Sequence, residues 1–172
     1  MRLRSTKLHK KFLAVLLLAG PATIVTPIVS TAAKAATPIA SAPAEGVTRQ
    51  KSDYAFDETV SRLKADIAAK GIRFFDEIDH SALGAGADLP INRSKLLLFG
   101  NPPLGVQFLQ SNPLAGLDWP VRMLVTQDDS GQVWVSWTDF RFVASRYRLD
   151  DRDTQITMAS EVASSIASST RK

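Results

Sequence analysis

One segment, residues 121–138, constrains the fold of this chain more than any other. Apolar and polar side chains alternate through most of Val121–Gln127 and again through Val133–Thr138, and Asp128–Gly131 (DDSG) separates the two stretches. A period of two is typical of strands with one buried face, and a short polar turn between two such strands joins them as antiparallel neighbours. The segment therefore predicts a β-hairpin within an antiparallel sheet.

A long amphipathic helix is predicted over Asp53–Lys70. Phe56, Val60, Leu63 and Ile67 follow one another at spacings of four, three and four residues, so they form one apolar stripe. A helix with a single apolar stripe needs one apolar surface on which to bury it. We therefore expect this helix to lie on one face of the sheet.

The remaining elements are shorter or less regular. Further strands are predicted at Val47–Ser52, Ile72–Asp79 and Ser94–Phe99, and the apolar run of the last one is typical of a strand buried on both faces. A terminal helix is predicted over Asp151–Ser169. Its apolar stripe comprises Met158, Val162, Ala163 and Ile166. Strands outnumber helices, so the predicted fold class is α+β, with two layers: a mainly antiparallel sheet packed on the long helix and the C-terminal helix.

The first 35 residues have the pattern of an export signal. Five Lys and Arg residues precede the apolar run Phe12–Ala19 (FLAVLLLA), and Ala33–Ala35 supplies small residues for cleavage. We expect a signal peptide over 1–35, a flexible linker over 36–46 and a single domain over 47–172. The predicted location is periplasmic or secreted. The alternative is an uncleaved segment that tethers the chain to the membrane, although a glycine and two prolines interrupt it.

Charge and cysteine content exclude several classes of function. Six of the 21 basic residues and none of the 17 acidic residues lie before Ala36, so the chain from Ala36 onward carries a net charge of −2. We therefore expect no nucleic-acid partner, and contact with a membrane only through the leader. The lack of cysteine excludes disulfides, thiol catalysis and thiolate metal sites. No cofactor is predicted.

Six short segments together resemble one known family. They are Tyr54–Val60 (YAFDETV), Gly71–Ile72, Ile78–His80 (IDH), Leu98–Pro102 (LFGNP), Leu117–Val121 (LDWPV) and Gly131–Ser136 (GQVWVS). In their order and spacing they are similar to the family called domain of unknown function 302, over about residues 47–147. The resemblance implies a curved antiparallel sheet that grips a long helix, similar to the TATA-binding-protein-like fold, and it implies no established activity. One departure is that the family's Asp-Leu-Pro becomes Asp118–Trp119–Pro120 here.

The segment Phe99–Gly105 (FGNPPLG) is rich in turn-forming residues. It lacks the Gly-Lys-Ser/Thr ending of a phosphate-binding loop. Pro102 and Pro103 donate no backbone hydrogen bond, so we expect them to end the preceding strand, with the side-chain amide of Asn101 satisfying the freed backbone groups. The alternative is a ligand-facing loop, to which Asn101 contributes through its amide and the glycines do not contribute. A helical turn is predicted only after this segment, over Val106–Ser111 (VQFLQS).

His80, Asn101 and Asp118 are the candidate ligand-binding residues. The leading hypothesis is a non-catalytic domain that binds a small molecule or ion between the long helix and the sheet, near these three residues. It rests on the resemblance and on the lack of a recognisable catalytic set. A second hypothesis is a hydrolase-like enzyme in which His80 is a general base oriented by Asp118 or Asp79. A third is an envelope module that oligomerises, for example as a homodimer.

Two further groups of residues are interpreted first as structural. Asp76, Glu77 and Asp79 precede His80, but in a regular strand Phe74 and Asp76 share one face and Glu77 takes the other, so no metal site is expected. The three tryptophans are interpreted as core or groove residues, with an aromatic pocket lining as the alternative. They are Trp119, Trp134 and Trp137. The last two are three apart in one strand, and are expected on opposite faces.

Overall fold

The computed structural model describes residues 44–172. The predicted signal peptide over 1–35 lies outside the described residues, as do residues 36–43 of the predicted linker, and both stay predictions. Within residues 44–172, no helix is long and apolar enough to cross a membrane.

Five strands form one sheet in which every neighbouring pair is antiparallel. They are β1 (Val47–Lys51), β2 (Arg73–Asp79), β3 (Ser94–Gly100), β4 (Val121–Gln127) and β5 (Val133–Thr138). Their order across the sheet is β1–β5–β4–β3–β2, with β4 at the centre. β4 and β5 form the predicted hairpin, with Val125 opposite Val135. The two edges are held by β1 and β2, the first two strands of the domain in chain order.

Five α-helices accompany the sheet. They are α1 (Phe56–Ala69), α2 (His80–Gly86), α3 (Pro102–Ser111), α4 (Phe140–Tyr147) and α5 (Asp153–Ser168). A 3₁₀ helix, Pro113–Asp118, links α3 to β4. α1 contacts β2, β4 and α5, while α4 packs against α5. The α+β prediction, with a long helix and a C-terminal helix packed on an antiparallel sheet, is confirmed.

The core lies between one face of the sheet and the helices. Leu97 and Phe99 of β3 are fully buried, whereas the alternate side chains Leu96 and Leu98 are only half-buried. Other fully buried side chains in this core include Leu63, Ile67, Met123, Val125, Val135 and Ile166. The expectation that β3 is buried on both faces is therefore wrong for the Leu96 face, because α1 and α5 pack on the Leu97 side. Trp137 points into the core and Trp134 points away, as predicted.

β2 contains a bulge that changes which side chains share a face. Phe74 lies opposite Phe99 and Asp76 lies opposite Leu98, so Phe75 is an extra residue between them. Because Phe99 and Leu98 point to opposite faces of β3, Phe74 and Asp76 do so as well. The regular alternation predicted for this strand is therefore wrong beyond Phe74.

Helix α1 begins at Phe56, later than the predicted start at Asp53. Ala55 is the N-cap residue and makes no side-chain capping bond. Asp53 is held by the C-terminal segment, because its N–H donates to the carbonyl oxygen of Thr170 (3.0 Å) and its carboxylate accepts from the N–H of Lys172 (2.9 Å). These two bonds keep Asp53 outside the helix.

A buried polar cluster joins the end of the chain to its first strand. The hydroxyls of Ser52 and Thr59 lie 2.6 Å apart, and Ser52 also donates to the carbonyl oxygen of Thr170 (3.4 Å). Next to this cluster, the guanidinium of Arg171 donates to the carbonyl oxygen of Lys51 (3.2 Å). Buried hydroxyls are tolerated in a core when they are hydrogen-bonded, so this cluster fixes the C-terminal segment against the end of β1.

Helix α5 buries a different stripe from the predicted one. Met158 is 49% exposed, and Val162 is only partly buried. The buried residues are Ile156, Ala159, Ala163, Ile166 and Ala167. Alanine carries a small side chain, so this stripe allows the helix to lie close to its neighbours. Of the predicted stripe, Ala163 and Ile166 are correct and Met158 is wrong.

Candidate functional site

A cavity of about 340 Å³ lies where the ends of β3 and β4 meet α3 and α5. We call it the α3 cavity. Most of its wall is apolar and includes Ile72, Phe99, Phe108, Val121, Phe140 and Val162. Among residues 44–172, its wall also includes the polar side chains of Lys70 and Asn101, and the side chain of Trp119. The indole nitrogen of Trp119 lies against Gly100 and Gly105, two further residues of the wall. An apolar chamber with a few polar groups is the usual form of a small-molecule site.

The segment Phe99–Gly105 forms one wall of this cavity. β3 ends at Gly100, Asn101 is the N-cap residue of α3, and Pro102 and Pro103 form its first turn. Proline fits this position because the first N–H groups of a helix have no partner within it. The prolines end the strand, as predicted, and they also begin a helix, which the sequence reading placed only from Val106.

Asn101 caps α3 through its backbone and leaves its side chain free of that role. Its carbonyl oxygen accepts from the N–H groups of Leu104 (3.0 Å) and Gly105 (2.8 Å), and its side chain makes no capping bond. The predicted side-chain cap is therefore wrong, because Pro103 has no N–H to donate and the N–H of Leu104 donates to the backbone carbonyl oxygen of Asn101 instead. The side chain is exposed at the cavity wall.

Two glycines of the same segment pack against the indole ring of Trp119. A β-carbon on Gly105 would lie 1.8 Å from the indole Nε1, and one on Gly100 would lie 3.2 Å from it. Phe75, the bulged residue of β2, meets the edge of the indole ring at 5.8 Å between centroids. Whether a ligand at this loop would use the glycines stays a prediction, while the structure gives these two glycines a packing role. Their missing side chains make room for Trp119 beside the cavity, and only the pairing of distant residues in the fold could reveal this.

Asp118 is a buried carboxylate held by three donors. Its side chain is 5% exposed and pairs with Arg122 and with Arg146 (3.2 Å), and the hydroxyl of Tyr147 donates to Oδ2 at 2.7 Å. The hydrogen bond to Asp118, followed by burial, raises the pKa of Tyr147 above its usual value. All of these contacts anchor the 3₁₀ helix to α4 and β4. Asp118 therefore positions the adjacent Trp119 and does not line the α3 cavity itself.

His80 lies at the far end of β3 from Asn101. Its Nδ1 is 3.2 Å from the hydroxyl of Ser94, the first residue of β3, whereas Asn101 follows the last. Seven residues of strand span about 20 Å. The three candidates therefore do not border one site, because the strand separates His80 from Asn101. Whether any of them binds a ligand stays a prediction.

The carboxylates proposed to orient His80 have other partners. Asp79 accepts from the N–H of Ala82 (2.9 Å) and the hydroxyl of Ser81 (2.6 Å), which makes it the N-cap residue of α2 and lowers its pKa. The carboxylate of Asp118 is bound by Arg122, Arg146 and Tyr147, as described above. Within residues 44–172, neither carboxylate forms a hydrogen bond with His80, so the proposed dyad is not assembled there.

The acidic residues of β2 form an ion-pair cluster with lysines. Lys95 lies 2.6 Å from Glu77 and 3.6 Å from Asp79, and Lys64 of α1 lies 3.1 Å from Glu77. The hydrogen bond from Lys95 lowers the pKa of Glu77, and the same bond raises the pKa of Lys95.

Among residues 44–172, no group of three or more His, Cys, Asp or Glu side chains could hold a metal ion.

Comparison with protein families identifies the chain's relatives. The family described as "Domain of unknown function DUF302" matches residues 48–169. The chain belongs to the DUF302 family. The resemblance stated from the sequence is thereby confirmed. A solved structure, that of an uncharacterized conserved DUF302 protein from Bacillus stearothermophilus, aligns with a TM-score of 0.68 at 15% identity, covering 74% of this chain and all of that one. This likeness supports the shared DUF302 fold.

Two curated relatives carry a functional name. "Fluoride-specific ion channel FluC 1" of Brucella suis biovar 1 is 34% identical over 112 residues, which are 65% of this DUF302 chain and 44% of that protein. "Fluoride-specific ion channel FluC 2" of Brucella melitensis biotype 1 is likewise 34% identical, over 42% of its length. This chain spans less than half the length of these curated relatives.

Proposed function

We propose that this DUF302 domain is a non-catalytic binding protein for a small, largely apolar molecule, held in the α3 cavity. The observation that carries the proposal is the cavity itself: about 340 Å³, walled by Phe99, Phe108, Phe140 and other apolar side chains. This volume is within the usual range for a small-molecule site. Each 100 Å² of apolar ligand surface removed from water there contributes about 2.5 kcal/mol to binding.

The chemistry of the cavity wall supports binding more than catalysis. Among residues 44–172, Lys70 is the one titratable side chain on its wall, and that lysine is paired with Asp66 one helical turn away. General acid–base catalysis needs a titratable group within hydrogen-bond reach of the reacting atom, and a paired lysine at the rim is a poor candidate. The His80 enzyme hypothesis has less support, because neither proposed orienting carboxylate bonds to His80.

The test is a thermal-shift screen of small apolar molecules, with sodium fluoride included because two curated relatives are named fluoride channels. A ligand at one hundred times its Kd stabilises the native state by about 2.7 kcal/mol, which raises Tm by several degrees. A screen without any shift, in a folded protein, would contradict the proposal.

A matched pair of substitutions locates the binding. Val162→Phe places a larger side chain in the α3 cavity and is expected to abolish the shift given by each hit. Val106→Phe adds the same atoms to α3 at a residue that is 43% exposed, and is expected to leave the shift unchanged. If both variants retain the shift, the ligand binds elsewhere and the cavity assignment is wrong.

We also propose that the domain acts outside the cytoplasm. The support is the leader described above: basic residues, a short apolar run and small residues near Ala35. Zero cysteine is compatible with an oxidising compartment, because the domain then has no thiols to oxidise.

A further inference from the structure

The polar groups at the α3 cavity differ in whether they already have a hydrogen-bond or ion-pair partner within the protein. Within residues 44–172, the indole N–H of Trp119 has no acceptor, and it is not sealed from solvent. The side-chain amide of Asn101 is also free of its predicted capping role. Lys70, in contrast, is paired with Asp66. The unused groups are therefore neutral donors: the indole N–H, whose nitrogen packs against Gly105 of α3, and the amide of Asn101, the N-cap residue of the same helix.

The start of α3 offers no backbone donor of its own. Pro102 and Pro103 carry no N–H, and the next two N–H groups, of Leu104 and Gly105, donate to the carbonyl oxygen of Asn101. Helix starts bind anions mainly through free N–H groups, and here those groups are missing or occupied. A ligand at this wall meets side-chain donors only.

We propose that the ligand is a neutral, largely apolar molecule with one carbonyl oxygen, and that this oxygen accepts a hydrogen bond from Nε1 of Trp119. The inference rests on the proposed function and names the ligand class for the same cavity. The indole nitrogen lies against Gly105, where a β-carbon would be only 1.8 Å away, so its position is fixed by backbone contact. A fixed donor beside an apolar chamber selects ligands that place an acceptor at that point.

The carbonyl class follows from the charges at the wall. A carboxylate loses much of its hydration on entering an apolar cavity and needs a cation in return. The nearby ammonium group, that of Lys70, already has Asp66 as its partner. A neutral acceptor avoids this penalty and still satisfies the indole N–H, which would otherwise lose water without compensation when an apolar ligand covers it.

Three probes of nearly the same shape separate the contribution of the hydrogen bond to binding from those of apolar burial and of ligand charge. Benzylacetone carries a ketone, isopentylbenzene replaces the ketone oxygen with a methyl group, and hydrocinnamate carries a carboxylate at the same carbon. The methyl group of isopentylbenzene buries more apolar surface than the ketone oxygen, so the informative quantity is the ketone-to-hydrocarbon affinity ratio, compared between the full-length wild-type protein and Trp119→Phe. We expect this ratio to be about fivefold higher in the wild-type protein, the effect of one net hydrogen bond. We expect hydrocinnamate to bind less tightly than the ketone.

Two readouts assign the preference to Trp119. Trp119→Phe removes the N–H and should lower the ketone-to-hydrocarbon affinity ratio about fivefold. Trp134→Phe, on the other face of the sheet, should leave the ratio unchanged. In the wild-type protein, ¹⁵N-labelled indole groups give a second measurement that needs no folded variant at residue 119. The Trp119 cross-peak should move with benzylacetone and much less with isopentylbenzene.

The outcomes separate this inference from the proposed function. An affinity ratio that is the same in the wild-type protein and in Trp119→Phe, or an unmoved Trp119 cross-peak with bound ketone, overturns the carbonyl inference and leaves the proposal of an apolar site unaffected. Tighter binding of hydrocinnamate than of the ketone also overturns it, in favour of an anionic ligand. Binding of none of the three, together with an empty screen, contradicts the proposed function itself.

Discussion

At the scale of single residues, the contact between Gly105 and Trp119 decides the shape of the α3 cavity. These residues are 14 positions apart, and nothing local in FGNPPLG indicates that an indole ring will lie on its second glycine. The sequence predicted a strand end there correctly, since prolines and glycines are local signals. The prediction from the sequence assigned the candidate ligand contact of this segment to Asn101, because its amide is the polar side chain in FGNPPLG. The contact between Gly105 and Trp119 depends on tertiary packing instead.

Gly105→Ala tests this contact. The added methyl group would lie 1.8 Å from Nε1 of Trp119, so the indole must move or α3 must shift. We expect a loss of about 1–3 kcal/mol in the free energy of unfolding, measured by urea denaturation. The control is Gly86→Ala in α2, where a β-carbon meets nothing within 4 Å; there we expect no loss, or a small gain from helix propensity. If the two substitutions changed the free energy of unfolding equally, the packing of the indole would not require a glycine at residue 105.

At the scale of elements, the fold was predictable where side-chain periodicity is regular and unpredictable where it is interrupted. The hairpin of β4 and β5 and the stripe of α1 follow from alternation and from helical spacing. The bulge at Phe75 is invisible in the sequence, because it is defined by the pairing with β3. Helix α3 was predicted too short because Pro102 and Pro103 were interpreted only as strand breakers, although proline also favours the first turn of a helix.

The hairpin turn contains a carboxylate on which its geometry depends. Asp128 accepts from the N–H groups of Ser130 and Gln132, from the Ser130 hydroxyl and from the indole of Trp134. These bonds, led by that of the Ser130 hydroxyl, lower its pKa to about 2. A carboxyl whose pKa is lowered in the folded state stabilises the fold above its unfolded pKa. That contribution is lost as the pH falls toward about 2.

Asp128→Asn should therefore destabilise the protein at neutral pH and make little difference near the folded-state pKa. Unfolding by urea at several acidic pH values should show that the difference in the free energy of unfolding between wild type and variant narrows as the pH falls toward about 2. Asp88→Asn is the control, since Asp88 has a left-handed backbone that asparagine tolerates equally. A gap that stays constant with pH would contradict the assignment of the stabilisation to the ionised carboxylate.

At the scale of the whole molecule, the sequence predicted the fold class and the family, and it grouped the candidate site residues wrongly. His80, Asn101 and Asp118 were grouped because each belongs to a recognisable motif. In three dimensions β3 separates His80 from Asn101, and Asp118 belongs to an ion cluster with Arg122 and Arg146. Motifs identify conspicuous residues, while the cavity is formed by apolar side chains from five elements, β3, α3, β4, α4 and α5, most of which lie outside the motifs.

The proposed export is tested on the whole chain. Expressed with its natural leader, the protein should be recovered from the extracytoplasmic fraction with an N-terminus near Ala36, as measured by intact mass. Ala35→Glu, which places a charged residue at the cleavage point, should retain the leader. Recovery of the full-length chain from the cytoplasm would contradict the proposal, and an intact leader in the membrane fraction would favour the tether.

The polar cluster of Ser52, Thr59 and Thr170 also has a mechanical consequence. The C-terminal segment is fixed at the Lys51 end of β1, while the chain enters the domain at the opposite end of that strand, at Val47. A force applied between these two points is directed along β1, so the β1–β5 hydrogen bonds bear the load together instead of opening one after another. A domain pulled through the residues that precede Val47 would therefore resist by shear of the edge strand β1.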